Sequence, residues 1–420
     1  MTTEALLDSI IYTFREVFGR AHLMHFSAYI WGSLLCTGRH TISNVYLAGA
    51  PSSSYWALVK FISRARWEPL AVSRHLVGLI LLYVPQWVYV YDHTHAIKTG
   101  TKQARLHFFR NHRYRKRNTN QSKFHWGHQF AALGLLARLS PNVSVLFPVW
   151  VKLLAPGATA ALEAFRTVLS ILPPGLILFD RGFNNRKYFK QLLEDGFHLL
   201  CRARKNAVFY ALPTVGQQPR RGRRVYGRRL SIPHLRFADR PIPALNKTVS
   251  LAHQIVRTKM CPQPVHLVVI RTKPKPNKPY RYFLVFTTDL SLSVETIVRY
   301  YQWRWKLETA FRDTKENLGF DHYQVRADHS IERTVLLSCV AASIARLAAL
   351  PAFQRQHQTH LPTIGQALKQ MNIHWYHPTR WTLGLILKYL RGRHTAAGIT
   401  PGFSSNENQE NFTTYRLAAG

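Results

Sequence analysis

Hydrophobic positions recur at helical spacing through the first eighty-odd residues and then give way to short unbroken apolar runs. The early spacing predicts helices over 4–18, 21–36, 54–64 and 68–82, and a short helix opening at Thr41-Ile42-Ser43 with Thr41 as its cap. After Pro85 the run Trp87-Val88-Tyr89-Val90-Tyr91 reads as a buried strand ending at Asp92. A second β-like run covers about 126–137. Residues 157–172 look helical, and Pro173-Pro174 stops them because proline lacks the backbone donor a helix needs. Leu176-Ile177-Leu178-Phe179 is a short buried strand ending at Asp180, followed by a helix over 184–194 and a strand over 197–201. Residues 205–288 are rich in Arg, Pro and Lys, with β-like runs at 265–271 and 280–287. Helix returns over 293–318 and 330–349, and the polar tail beyond about 402 is expected to be mobile.

This order reads as a mixed α/β core interrupted by an insertion. Five segments follow: a helical, DNA-binding N-terminal domain over 1–85; the first part of the core over 86–204; a basic β-rich insertion over 205–288; the second part of the core over 289–350; and a helical region with a polar tail over 351–420. The short early helices carry Arg64, Arg66 and Arg74 and suit a helix–turn–helix DNA reader. They suit plain helix packing equally well, and the sequence does not choose.

Charge changes the picture more than composition does. Lys and Arg total 57 against 20 acidic residues, a formal charge of +37. Self-repulsion of that size opposes a compact fold unless a polyanion offsets it. Nucleic acid is the usual polyanion for such a chain; the alternatives are a ribosome-associated protein or a membrane-surface binder. Cys36, Cys201, Cys261 and Cys339 are too widely spaced for a paired metal-ligand pattern and read as reduced thiols. The start has no basic segment ahead of an apolar run, so no signal peptide is expected. The most apolar stretch, 76–91, is shorter than a membrane span and is broken by Pro85. A cytoplasmic protein with no membrane partner is the expectation.

Candidate chemistry starts from acids at predicted strand ends. Side chains there converge on a solvent-facing crevice in α/β sheets, which singles out Asp92 and Asp180. Each alone reads as readily as a turn or cap residue, and Asp180 precedes the turn-like pair Arg181-Gly182. The predicted helix over 293–318 is more informative. At about 100° per residue, Tyr301, Arg304, Glu308 and Lys315 fall in a stripe roughly 60° wide, with Arg312 at its edge. Tyr300, Trp303, Leu307, Phe311 and Leu318 form an apolar face roughly 90° away. One acid set among cations suits a metal ligand within a phosphate-binding surface; a solvated helix face would more often mix the two signs. Three carboxylates suit two Mg2+ ions, which take hard oxygen ligands and drive in-line phosphoryl transfer.

Tyr301, Arg304, Glu308 and Lys315 match, in identity and spacing, the Tyr-Arg-Glu-Lys signature of a large group of bacterial insertion-sequence transposases. The chain is similar to that family from about 40 to about 345. Asp92-His93-Thr94 with Lys98 and Gly100 resembles the family's first-Asp segment, and Phe124-His125-Trp126-Gly127-His128 resembles the strand after it. Asp180-Arg181-Gly182-Phe183, then Cys201-Arg202-Ala203-Arg204-Lys205, resembles the second-Asp region, and the Arg-rich 220–229 resembles the start of the family's insertion. Where many relatives have Asp-Asp-Thr, this chain has His93 in the middle.

The resemblance implies an RNase H-like mixed-sheet core with a DDE triad. Asp92, Asp180 and Glu308 would be both catalytic residues and ligands of two Mg2+ ions, with Mn2+ able to substitute. Tyr301, Arg304 and Lys315, with Arg312 beside them, would contact DNA. The partners implied are double-stranded DNA, as transposon ends and target, and a second copy of the chain in a homodimer. The activity implied is metal-dependent cleavage and strand transfer at the ends of the chain's own insertion sequence. An inactive or repurposed DNA-binding protein on the same fold is the alternative, and a structure-selective nuclease is a third reading. Some relatives stack a flipped base on an aromatic side chain; Trp303 or Trp305 is the candidate here, with core packing the favoured role for Trp303.

Three basic clusters flank these acids: Arg105, Arg110, His112, Arg113, Arg115, Lys116 and Arg117; Arg220, Arg221, Arg223, Arg224, Arg228 and Arg229; and Lys273, Lys275 and Lys278. They read as backbone contacts along DNA, or as solvated loops.

Overall fold

A computed structural model describes residues 2–51, 53–110, 122–140, 143–204, 206–213, 225–243, 247–273 and 277–397. The polar tail, 112–117, 220–224 and Lys275 lie outside the described residues. Five helices come first: α1 (Thr3–Thr13), α2 (Arg20–Leu35), α3 (Ile42–Gly49), α4 (Tyr55–Ser63) and α5 (Pro69–Leu81). Their starts follow from the sequence. The side chains of Thr2, Thr41 and Ser54 accept from the first-turn N–H groups of Ala5, Asn44 and Ala57, and Pro69 occupies the first turn of α5, where its missing N–H costs nothing.

One sheet then forms the centre. Its strands are β1 (Trp87–Lys98), β2 (His107–Arg110), β3 (Phe124–Arg138), β4 (Ser144–Leu153), β5 (Leu176–Phe179), β6 (His198–Arg202), β7 (Ala238–Ile242), β8 (Lys247–Thr258), β9 (Cys261–Thr272) and β10 (Arg281–Thr287). The order is β2-β3-β1-β5-β6-β10-β9-β8-β7, with β4 also paired to β3. β1, β5 and β6 run parallel, and the other pairings are antiparallel. This is a mixed α/β architecture of the RNase H-like kind. The basic segment after β6 extends the same sheet, because β10 pairs with β6 and carries β9, β8 and β7 outward.

Helices cover both faces. α6 (Ala158–Leu169) and α7 (Arg186–Glu194) pack one face, where the Tyr91 ring meets Phe165 at 5.0 Å. α8 (Val294–Trp303), α9 (Trp305–Leu318) and α10 (Asp328–Ala348) follow, then α11 (Pro351–Gln356), α12 (Ile364–Gln370) and α13 (Leu383–Ala397). α10 is buried along almost its whole length. It packs on β4 and on α1, α2, α4 and α5. Its two buried charges are satisfied: Glu332 takes Lys152 Nζ at 3.1 Å and the Leu153 N–H, and Arg333 donates to the carbonyls of Ile62 and Trp67.

The strand through Asp92 and the helix through Glu308 differ from the sequence expectation. β1 does not end at Asp92. It continues to Lys98, paired with β3 from Trp87↔Ala137 to Lys98↔Trp126. What ends there is full burial: residues 88–91 are buried and 92–95 are half-buried. The predicted helix over 293–318 is interrupted at Arg304, which closes α8 and opens α9. β2 and β4 were not anticipated. β4 contains Pro148, which argues against a strand, but β4 pairs only with β3 and Pro148 sits at a register shift opposite Gly134, where a missing N–H is tolerated.

Candidate active site

Strand register brings the first two acids together. The parallel pairing of β1 with β5 ends at Tyr91↔Phe179. Asp92 and Asp180 are the next residue on each strand, one step past the last pair. Side chains alternate along a strand, so Tyr91 and Phe179 turn to the α6 side and the two acids to the other. There α9 crosses the sheet. Leu307 lies over Gly134 of β3, where a Cβ would come within 2.7 Å of Leu307 Cδ1. Leu307, Phe311 and Leu318 are buried, so the neighbouring stripe of α9 with Glu308 faces the strand ends.

Five hydrogen bonds define the site. Arg304 Nη1 donates to Asp92 Oδ2 at 3.0 Å, and Nη2 to Glu308 Oε1 at 3.1 Å. The Tyr301 hydroxyl donates to Asp180 Oδ1 at 3.3 Å. Lys315 Nζ donates to Thr94 Oγ1 at 3.2 Å and to the His95 carbonyl at 2.6 Å, tying the last turn of α9 to β1. The signature residues Tyr301, Arg304, Glu308 and Lys315 therefore gather around Asp92 and Asp180. Arg312 is exposed, and its charge bears on Asp313.

Electrostatics follow from burial. Asp92 is pushed up to about 6, first by desolvation and then by the nearby charges of Asp180 and Glu308; the His93 N–H, donating to Oδ1 at 2.8 Å, and Arg304 pull the other way. Burial opposes the charge on Arg304, and Tyr301, Asp92, Asp180 and Glu308 outweigh it, so the guanidinium is held more firmly protonated than usual. Burial also raises the Tyr301 phenol. Among the described residues, no three acidic, histidine or cysteine side chains stand together as a ready-made cation cage. The carboxylates are arranged around a guanidinium.

Other sequence-flagged residues are resolved by position. His93 projects to the opposite face from Asp92, with its ring 4.9 Å from Phe183, so the departure from Asp-Asp-Thr leaves the carboxylate side unchanged. Trp303 is buried, and Trp305 is 62% exposed. Trp303 is thus core, and Trp305 faces solvent. Arg64, Arg66, Arg74, Arg110, Arg228, Arg229, Lys273 and Lys278 are exposed, while Arg105 pairs with Asp328 at 3.0 Å. All four cysteines are buried and unpaired. Sequence reasoning did not see Lys98 Nζ donating to the carbonyls of Asp321 and Tyr323, or His128 bonding the Tyr323 hydroxyl at 2.7 Å. The signal lay in the alternation Asp92, Thr94, Ala96, Lys98, legible once β1 is carried past Asp92. Among the described residues no helix is long and apolar enough to cross a membrane.

Residues 85–344 match the family described as the transposase DDE domain. No curated protein matches the chain.

Proposed function

The chain belongs to the transposase DDE domain family, and from that premise we propose that it cuts DNA at the ends of its own insertion sequence and joins the freed ends to a target. Transposition of DNA, normally with a divalent metal ion, is the family's activity. In our reading Asp92, Asp180 and Glu308 are the catalytic carboxylates. The observation that carries this is their convergence: acids 88 to 216 residues apart in the chain meet one Arg–Tyr pair of the α8–α9 junction, at 3.0, 3.1 and 3.3 Å.

The donor set fits a divalent ion of the Mg2+ or Mn2+ type. All three groups offer hard oxygens, and Asp180 and Glu308 lie close enough for their charges to bear on Asp92, a grouping of negative charge that a cation would relieve. When bound, two such ions activate the attacking water or 3′-hydroxyl and stabilise the leaving oxygen of an in-line displacement. The chain's own residues do the rest. The His93 N–H and the Tyr301 hydroxyl orient Asp92 and Asp180. Lys315 fixes the height of α9, and so of Glu308, against β1. Arg312 is placed to meet backbone phosphate, and Tyr301, Arg304 and Lys315 reach phosphate by exchanging the partners they hold here. Two element ends must be handled together, so the working form is a homodimer on double-stranded DNA.

The test is a strand-transfer assay on labelled element ends with Mg2+ or Mn2+. Joined product is expected. Cleavage without joining would instead make the chain a nuclease, and binding without cleavage a repurposed DNA-binding protein. Asp92→Asn, Asp180→Asn and Glu308→Gln should each lower cleavage by at least about a hundredfold while DNA binding persists. A variant that cuts at the wild-type rate removes its residue from the site.

A further inference from the structure

Arg304 stands where the charges of the site converge. Its side chain is 8% exposed, against 21% for Asp92 and 41% for Glu308. A guanidinium fork usually closes on one carboxylate with two parallel bonds. Here it is divided, one nitrogen to β1 and one to α9, so a single cation bridges the two elements that must be in register for the three acids to act together. The rings of Tyr301 and Trp305 flank it, each 5.9 Å from the guanidinium carbon. Its Nε is buried without a hydrogen-bond partner, so the buried arrangement leaves part of its donor capacity unused. α8 gives way to α9 at the same residue, whose backbone stays helical and donates to the Tyr300 carbonyl at 3.1 Å, so the side chain is held at the joint of the two helices.

We infer that Arg304 is a positioning residue that holds Asp92 and Glu308 in place before metal arrives and competes with metal for Asp92 Oδ2 and Glu308 Oε1. This rests on the reading of the three carboxylates as metal ligands. A carboxylate oxygen that accepts from a guanidinium at 3.0 Å is hindered from inner-sphere coordination of a small divalent ion, and two cations on the same pair of oxygens repel. A DNA phosphate offers the fork a bidentate partner of matching geometry. DNA that draws Arg304 away therefore leaves the carboxylates open and more negative. Metal and DNA then bind cooperatively, each raising the affinity for the other by the same factor, and the protein without DNA holds metal weakly.

The measurement is Mn2+ affinity of the full-length chain without DNA, by electron paramagnetic resonance of free Mn2+. Arg304→Met is expected to bind Mn2+ roughly tenfold more tightly than wild type. Arg304→Lys, which keeps the charge, should stay close to wild type. A folded Arg304→Met that binds Mn2+ no better than wild type, or an Arg304→Lys that gains as much as the methionine, overturns the inference. Asp92→Asn separates the two levels of the reading. If it abolishes Mn2+ binding while Arg304→Met brings no gain, only the competition is wrong. If it leaves Mn2+ binding intact, the carboxylate site falls and the competition with it. Should Arg304→Met fail to fold, the wild-type side chain reports directly. Its guanidinium 15N resonances should shift when Mg2+ and a DNA end are added together, and unchanged resonances at saturation overturn the inference.

Discussion

Burial sets the protonation of single carboxyls, and two of them give opposite kinds of consequence. Asp8 on α1 is pushed up to about 6, mainly by desolvation, although the Trp31 indole donates to it at 2.7 Å. Its folded pKa lies above its ordinary 3.8, so the folded state holds the proton more tightly and the ionised form is penalised. The penalty is absent well below 3.8, grows as pH rises from there to the folded value, and is complete above it. Asp8→Asn keeps an acceptor for Trp31 and removes the charge, so it should stabilise the chain by about 1–3 kcal/mol at pH 8 and by much less at pH 4. Urea titrations at the two pH values check this, and an equal gain at both would show that desolvation of Asp8 is not the cause. Asp92 has the same shift for the same leading reason, and in the proposed reading it is also a metal ligand. A proton and a divalent ion compete for that carboxylate, so Mn2+ affinity should be flat from pH 7 to 8 and fall by up to about tenfold per unit below pH 6. Affinity unchanged down to pH 5 would take Asp92 out of the ligand set.

Elements position these groups, and at this scale part of the site was legible in advance. Short apolar runs ending in acids located Asp92 and Asp180, because burial on both faces of a central strand stops where the site opens. The 3.6-residue period separated the Glu308 stripe from the Leu307 face, and both faces lie as the period requires. The continuation of β1 was hidden because residues 92–98 alternate weakly and include His93 and His95; only pairing with β3 makes them a strand. β4 was hidden by Pro148, whose placement depends on a register shift that no local pattern encodes. The break at Arg304 was hidden because no Gly or Pro stands between 293 and 318 to mark it, and its two carboxylate partners include one more than two hundred residues away in sequence. Gly134 is a further residue whose role only packing reveals. Its missing side chain lets Leu307, and with it Glu308, settle against β3, with Leu146 Cδ2 also within 2.8 Å of the place a Cβ would take. Gly134→Val should cost about 1–3 kcal/mol by overpacking and lift α9 off the sheet. Cleavage should then fall by more than the loss of folded protein explains, while binding to DNA is kept. A folded Gly134→Val with full cleavage would show that Leu307 can move without carrying Glu308.

At the scale of the molecule, the N-terminal helices and the α/β core share one hydrophobic interior. A continuous buried cluster runs from Leu6 to Leu390, and Arg333 of α10 is hydrogen-bonded to the backbone at Ile62 and Trp67. Removing residues 1–83 would expose the apolar surface of α10 and strip Arg333 of its partners at Ile62 and Trp67, so the remainder should fail to fold; a truncated chain that melts cooperatively would refute this. Charge acts on the same scale but on binding. A formal +37 is too large to be balanced within the chain, since only 20 acidic residues are present and three of them belong to the site. Exposed cations lie on both the helical and the β-rich parts, at Arg64, Arg66, Arg74, Arg228, Arg229, Lys273 and Lys278. A DNA path that touches both parts would neutralise many phosphates and release as many counterions. For about 6–10 phosphate contacts, affinity should fall by about 10³–10⁵-fold between 50 and 200 mM salt. The fall should be the same for Asp92→Asn, because counterion release does not depend on the carboxylates. Arg228→Ala with Arg229→Ala should flatten the slope of log affinity against log salt by up to about 1.8, without altering the metal requirement. A slope unchanged in that double variant would place the DNA on the helical side alone and remove the β-rich extension from its path.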